Sequence, residues 1–246
     1  MQGIHISLKA EKVFEIYGLS ITNSTLTTWL VMLFLIIFSL VISRKLSYLP
    51  SSLQIVAEML VGGIYNFFES VTKEKIKLFF PLLGTLFIFI IFLNWFGLVP
   101  GVGTIGINEI EEGHKVFVPL FRAGSADINT TLALAIISVV TIQYFGLKTL
   151  GFGYLSRFFN FKNPIYFFVG ILELVLEFAK ILSFSFRLFG NIFAGEVLLT
   201  VIAFLMPILA PIPFIGMELF VGFIQALVFS MLTAVFLSLA TAKMEH

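Results

Sequence analysis

Arg187 is the residue of this chain whose placement most strongly suggests chemistry. It lies within the apolar stretch 181–200, more than twenty residues after Pro164 and twenty before Pro207. A guanidinium stays protonated in proteins, and at the centre of a bilayer it costs roughly 3 kcal/mol on insertion scales. An arginine that only extended to the lipid headgroups would lie near a helix end. The position therefore predicts a functional cation on an ion path.

Other polar residues share this apolar segment, and helical geometry at 100° per residue sorts them by face. One side holds four charged residues and continues to Asn191 one turn later: Glu173, Glu177, Lys180 and Arg187. Glu196 lies nine residues after Arg187, on the opposite face. In the last apolar segment, Glu218 and Gln225 are seven residues apart and share a face. One helix thus presents a cation to one neighbour and a carboxylate to another.

Each of these groups also has a purely structural interpretation. Glu173, Glu177 and Lys180 could form a salt-bridge ladder within their own helix. That explanation fails for Arg187, because Ser183 and Asn191 are its neighbours at four residues on either side. Its anion must then come from another helix or another chain. Glu196 and Glu218 are either buried, neutral, hydrogen-bonded acids or members of a proton relay.

The composition is that of a multi-spanning membrane protein. Hydrophobic residues make up 59% of the chain and charged residues 12%, against about a quarter charged in soluble domains. The formal net charge of +1 argues against nucleic-acid binding. The sequence contains no cysteine, and its three histidines are scattered through polar segments. We therefore expect neither a metal site nor a bound cofactor.

The hydropathy pattern predicts an all-α membrane protein that forms a single integral domain over 1–246. Five spans are expected, at 26–42, 78–99, 128–147, 164–206 and 214–242. Residues 53–72 are amphipathic and predict a helix on the cytoplasmic membrane surface. The glycine-containing segment 100–126 suggests an irregular external loop.

The fourth predicted span is too long for a simple crossing. Its 43 residues would extend about 64 Å as a helix, whereas the hydrocarbon core is about 30 Å thick. Either it breaks at Gly190 or Gly195, or it crosses at a steep tilt with the fifth span packed beside it.

Basic residues set the expected orientation. With the N-terminus outside, nine of them fall on the cytoplasmic side and four outside. The nine are Arg44, Lys45, Lys73, Lys75, Lys77, Lys148, Arg157, Lys162 and Lys243, and the four are Lys9, Lys12, Lys115 and Arg122. This asymmetry predicts an external N-terminus and a cytoplasmic C-terminus.

The run Arg-Leu-Phe-Gly-Asn-Ile-Phe-Ala-Gly-Glu at 187–196 resembles the signature of subunit a of F-type ATP synthases. Three further stretches agree with this family: 126–133, Asn163-Pro164 and 225–229. The resemblance implies a non-catalytic stator subunit, most similar to those of bacterial cytoplasmic membranes. Its expected partners are a ring of c subunits, the peripheral-stalk b subunits, other ATP synthase subunits and the lipid bilayer, with no nucleic acid.

The same resemblance assigns roles to individual residues. Arg187 matches the essential arginine that faces the ring, and the ion pathway would use Glu196, Glu218, Gln225, Asn191, Asp127, Asn129 and Glu173. Asp127 and Asn129 would line the external entrance, whereas Glu173 would belong to the cytoplasmic half. Glu218 stands where some bacterial members have histidine. Protons would reach and leave the ring carboxylates through two half-channels separated by Arg187.

The alternatives to this function are a secondary transporter and a membrane enzyme. In a proton-coupled secondary transporter, Arg187 would bind an anionic substrate, but such transporters are typically built from inverted repeats. No internal repeat is visible among these five unequal spans. A membrane enzyme would need a nucleophile and base, a metal cluster or a nucleotide-binding loop, and the sequence shows none of these patterns.

Overall fold

The computed structural model describes residues 9–16, 18–44, 50–111, 114–155, 158, 164–207 and 209–242. Asn163 and the predicted cytoplasmic charges at 45, 157, 162 and 243 lie outside these residues. Seven helices are described: α1 (Asn23–Ser43), α2 (Ser52–Thr72), α3 (Ile76–Phe96), α4 (Ile128–Leu150), α5 (Phe152–Leu155), α6 (Pro164–Leu205) and α7 (Pro211–Thr241). Short 3₁₀ turns cover Lys73–Lys75 and Gly124–Ala126.

Five helical stretches of the described chain are long and apolar enough to cross a membrane. They are α1, the run Ser52–Phe96 that contains α2 and α3, α4, α6 and α7. This confirms the predicted all-α membrane fold with five membrane helices.

Two small β-hairpins accompany the helices. The first joins β1 (Lys12–Ile16) to β2 (Leu19–Thr22), and the second joins β3 (Gly106–Glu111) to β4 (His114–Pro119), both antiparallel. The prediction of a wholly irregular segment at 100–126 was therefore wrong. Its β-branched residues favour strands, and the backbone of Ile107 pairs with that of Val118.

α2 is a separate helix that packs on α3. The Ser51 hydroxyl caps its start by accepting from the Gln54 N–H, and Lys73 ends it with a positive φ of 51°. Aromatic contacts join the two helices, with ring centroids 5.0 Å apart for Tyr65 and Phe80. The position of α2 on the membrane surface stays a prediction.

α6 is continuous through both of its central glycines, so of the two alternatives the break at Gly190 or Gly195 does not occur and the long, unbroken helix is found. Its 42 residues extend about 63 Å at 1.5 Å per residue. A helix twice as long as the hydrocarbon core must tilt steeply or project beyond it. Pro164 opens this helix, where its missing N–H needs no partner.

α7 packs beside α6 in the opposite direction, as the fifth span was expected to do. Glu218 of α7 lies against Gly195 of α6, and eleven residues later Phe229 contacts Phe184 with ring centroids 5.1 Å apart. A step of eleven residues forward along α7 therefore corresponds to eleven residues back along α6, as in a regular antiparallel pair. α3 and α4 pack on the other sides of α7.

Candidate functional site

Arg187 lies near the middle of α6 on the face that turns away from the packed helices. The neighbouring Leu188 and Phe184 are buried against the rest of the protein, whereas Arg187 is half-exposed. Its Nη2 donates to the Ser183 hydroxyl at 3.1 Å, and its carbonyl accepts from Asn191 Nδ2 at 3.0 Å. Across the residues that the structure describes, no carboxylate forms a salt bridge with Arg187.

The surface around Arg187 is open and built mostly from small side chains. Its exposed residues are Ser183, Phe186, Gly190, Asn191 and Ala194. A Cβ added at Gly190 would meet no atom within 4 Å. Small residues on a membrane helix let another helix approach closely, so this face can place a second helix near the guanidinium.

Glu196 lies on the opposite side of α6, as the helical spacing predicted, and forms an ion pair. Arg122 Nε donates to its two carboxylate oxygens at 2.9 and 3.0 Å. Arg122 is buried, its guanidinium lies 5.7 Å from the Phe193 ring centroid, and its backbone N–H donates to the Thr27 hydroxyl at 3.3 Å. The pair joins α6 to the segment that precedes α4.

Glu218 is buried where α7 crosses α6, with 4% of its surface exposed. Its carboxylate fills the space beside Gly195, where any Cβ would overlap it. The Oε1 atom has no hydrogen-bond partner among the described residues. Because Gly195 directly precedes Glu196, the two acids lie at one level of the helix pair.

Gln225 lies on α7 at the level of Arg187. The contacts between residues 218 and 195 and between residues 229 and 184 fix the antiparallel register. That register places residue 225 opposite residue 188. Gln225 is half-buried and lies two turns from Glu218 along α7.

Asp127 and Asn129 begin α4 beside a cavity of about 570 Å³. The buried Asp127 caps the helix, accepting from the Asn129 N–H at 3.0 Å and from its side-chain amide at 3.1 Å. Such a cap stabilises a helix by about 1 kcal/mol, so Asp127 has a structural role as well. Hydroxyls from α1 and the preceding strand line the same cavity: Thr22, Thr25 and Thr28.

The other end of α6 contains the charged pair expected from the ladder interpretation. Lys180 Nζ lies 2.6 Å from Glu177 Oε1 and 4.4 Å from the Phe236 ring centroid. Gln143 Nε2 donates to Glu177 Oε2 at 2.7 Å, and the Tyr154 hydroxyl donates to Gln143 Oε1 at 2.8 Å. Glu173 lines a cavity of about 210 Å³ beside this group.

Sequence comparison identifies the family. The model of the ATP synthase A chain family matches residues 25–238. The chain belongs to this family. ATP synthase subunit a of Gloeobacter violaceus is 40% identical over 227 residues, which cover 90% of this chain and 85% of that protein. The subunits a of Moorella thermoacetica and Citrifermentans bemidjiense are 31% and 34% identical, over 92% and 91% of this chain and 94% and 88% of their own lengths.

These comparisons confirm the family recognised from the 187–196 run, and with it a multi-pass membrane subunit of an ATP synthase. The structure places Glu196 and Glu218 at one level of the α6–α7 contact, and Gln225 two turns from Glu218 on α7. It separates them from Glu173, which lies 23 residues from Glu196 along α6.

Arg122 is the residue of this subunit that the sequence interpretation missed. It was counted only as an external loop charge, yet it is buried and pairs with Glu196. The available signal was its position five residues before Asp127. A lone arginine near the start of a predicted span needs a carboxylate once it is buried, and Glu196 was an unpaired candidate.

Proposed function

We propose that this chain is the proton-translocating stator subunit of a rotary ATP synthase. Two half-channels bring protons to and from the carboxylates of a c-subunit ring, and Arg187 separates them. The observation that carries this proposal is the placement of Arg187 on an open face of small residues, without a carboxylate partner among the described residues. A ring helix on that face would supply the anion.

Electrostatics make such a pairing reversible. A carboxylate about 4 Å from the guanidinium is stabilised by roughly 4 kcal/mol at an effective dielectric of 20. A membrane potential contributes about 2.3 kcal/mol per charge for each 100 mV. Because the two energies are comparable, Arg187 stabilises the carboxylate of an arriving acid, which releases its proton into the adjoining half-channel, without holding the ring permanently.

The acids on the two sides of Arg187 support separate half-channels. Glu196 lies about 14 Å from Arg187 along α6 and Glu173 about 21 Å in the other direction, at 1.5 Å per residue. The outer route uses the cavity at Asp127 and Asn129, then Glu218 and Glu196, with Gln225 and Asn191 beside the arginine. The inner route leaves past Glu173. Protons that cross the membrane would then have to pass by way of a ring carboxylate at Arg187.

The role is non-catalytic, since ATP chemistry belongs to other subunits of the complex. The c-ring would occupy the face of Arg187, and peripheral-stalk b subunits and lipid would cover the exposed apolar side chains of α1, such as Leu33 and Ile37. We further propose an external N-terminus and a cytoplasmic C-terminus in a bacterial cytoplasmic membrane.

The deciding experiment is reconstitution of the whole complex in vesicles. With the native chain, an imposed proton gradient should drive ATP synthesis, and ATP hydrolysis should drive proton uptake. Arg187→Ala should abolish synthesis while the complex still assembles with its ring. Wild-type synthesis by an assembled Arg187→Ala complex would overturn the proposal.

A further inference from the structure

Two side-chain hydrogen bonds tie α7 to α3 within about one turn of Glu218, and a third bond orients one of the two donors. Asn94 Nδ2 donates to the Gly222 carbonyl at 2.9 Å, and Trp95 Nε1 donates to the Leu219 carbonyl at 3.0 Å. The Ser125 hydroxyl donates to Asn94 Oδ1 at 2.5 Å. Asn94 and Ser125 are both buried.

These contacts are specific in geometry. A carbonyl oxygen has two lone pairs, so Leu219 and Gly222 can accept these bonds in addition to those of the helix. The Ser125 hydroxyl donates to the amide oxygen of Asn94. This fixes the orientation of the Asn94 amide, so that its NH₂ group faces the Gly222 carbonyl. Gly222 permits the approach, because a Cβ there would lie 3.1 Å from Asn94 Cβ and 3.4 Å from the Trp95 ring.

The position of Glu218 depends on the rotation of α7. Its carboxylate fits only where α6 has Gly195. With Cα atoms at about 2.3 Å from the axis, a glutamate carboxyl lies roughly 6 Å out, and a rotation of about 20° would move it about 2 Å. Because Asn94 and Trp95 hold two α7 carbonyls that are three residues apart, they oppose both rotation of α7 about its axis and sliding along it.

We propose that Asn94, oriented by Ser125, is a positioning residue that holds Glu218 against Gly195 for proton transfer. The inference rests on the proposed function, in which Glu218 belongs to the outer half-channel. The Arg122–Ser125 segment then positions both outer acids, Glu196 by direct pairing and Glu218 through Asn94 and α7.

Disulfide trapping tests the position without depending on transport. The native chain has no cysteine, so Gly195→Cys with Glu218→Cys gives the only thiol pair of this subunit. In assembled complexes we expect rapid disulfide formation, slowed at least about tenfold when Asn94→Leu or Ser125→Ala is added. Thr85→Val is the matched control, since it removes a side-chain bond to the Pro81 carbonyl within α3 and should leave the rate unchanged. Equal rates in all backgrounds would overturn the positional claim.

Proton pumping tests whether the position of Glu218 matters for proton transfer. In chains that retain Gly195 and Glu218, Asn94→Leu and Ser125→Ala should lower ATP-driven pumping severalfold per assembled complex and shift the pH of half-maximal pumping. In a Glu218→Gln background, Asn94→Leu should reduce pumping no further. A lower rate with an unshifted pH profile, or an equal additional loss in Glu218→Gln, would show that Asn94 only supports the fold. Wild-type pumping by Glu218→Gln itself would overturn the outer relay, whereas disulfide trapping would still decide whether Asn94 positions α7.

Discussion

Gly195→Ala should impair transport because the new methyl group would occupy the space of the Glu218 carboxylate. The added Cβ overlaps both carboxylate oxygens and the carbon between them, so α7 or the Glu218 side chain must shift. Overpacking of this kind costs about 1–3 kcal/mol. If that energy falls on the transfer step, pumping drops about 5- to 150-fold, at 1.36 kcal/mol per factor of ten.

The assay is ATP-driven proton uptake by inverted vesicles, normalised to assembled complex. Gly216→Ala is the matched control, since a Cβ at this α7 glycine meets no atom within 4 Å. Glu218→Asp should partly restore pumping to Gly195→Ala, because it retracts the carboxylate by one carbon–carbon bond of about 1.5 Å. Native pumping by Gly195→Ala, or no gain from Glu218→Asp, would refute the steric argument.

Three further predictions concern charge and topology. Arg187→Lys should retain less than about a tenth of native ATP synthesis, because a desolvated ammonium can lose its proton whereas guanidinium keeps its charge; full synthesis by this variant would contradict the role of Arg187. Arg122→Leu should reduce both pumping and the yield of assembled complex, since it leaves the carboxylate of Glu196 without its partner. Adding Glu196→Gln should recover the yield but not the pumping, and recovery of both would make Glu196 purely structural. Impermeant labelling should reach a tag at residue 5 from outside and a tag at residue 246 only from the cytoplasm, so access to both from one side would contradict five spans.

Sequence periodicity was sufficient for the relations within α6. Positions four, three and nine residues apart fix the face of a helix, and this spacing predicts Glu177 beside Lys180 and Glu196 opposite Arg187. Both relations occur in the structure. In a long continuous helix the angle between successive residues is constant, so spacing along the sequence gives the relative faces of the side chains reliably.

Helical periodicity could not predict which distant segments of the chain contact each other. Arg122 and Glu196 are 74 residues apart, and Asn94 and Gly222 are 128 apart. Which two elements meet depends on how the helices pack, and periodicity within one helix does not contain that information. The hairpin at 106–119 was missed for a related reason, because its strands gain stability only by pairing with each other.

The central glycines of α6 show why a local rule could not choose between a broken and a continuous helix. Glycine within a helix is unfavourable by about 1 kcal/mol relative to alanine, which made a break at Gly190 or Gly195 one of the two alternatives. In a membrane, few alternatives to helical hydrogen bonding exist, so the helix continues and the missing side chains become space. At Gly195 that space holds the carboxylate of Glu218, and at Gly190 it lies open on the face of Arg187. The continuous helix therefore keeps Gly195, against which Glu218 lies, at a fixed distance from Arg187. A hinge at either glycine would let that distance change.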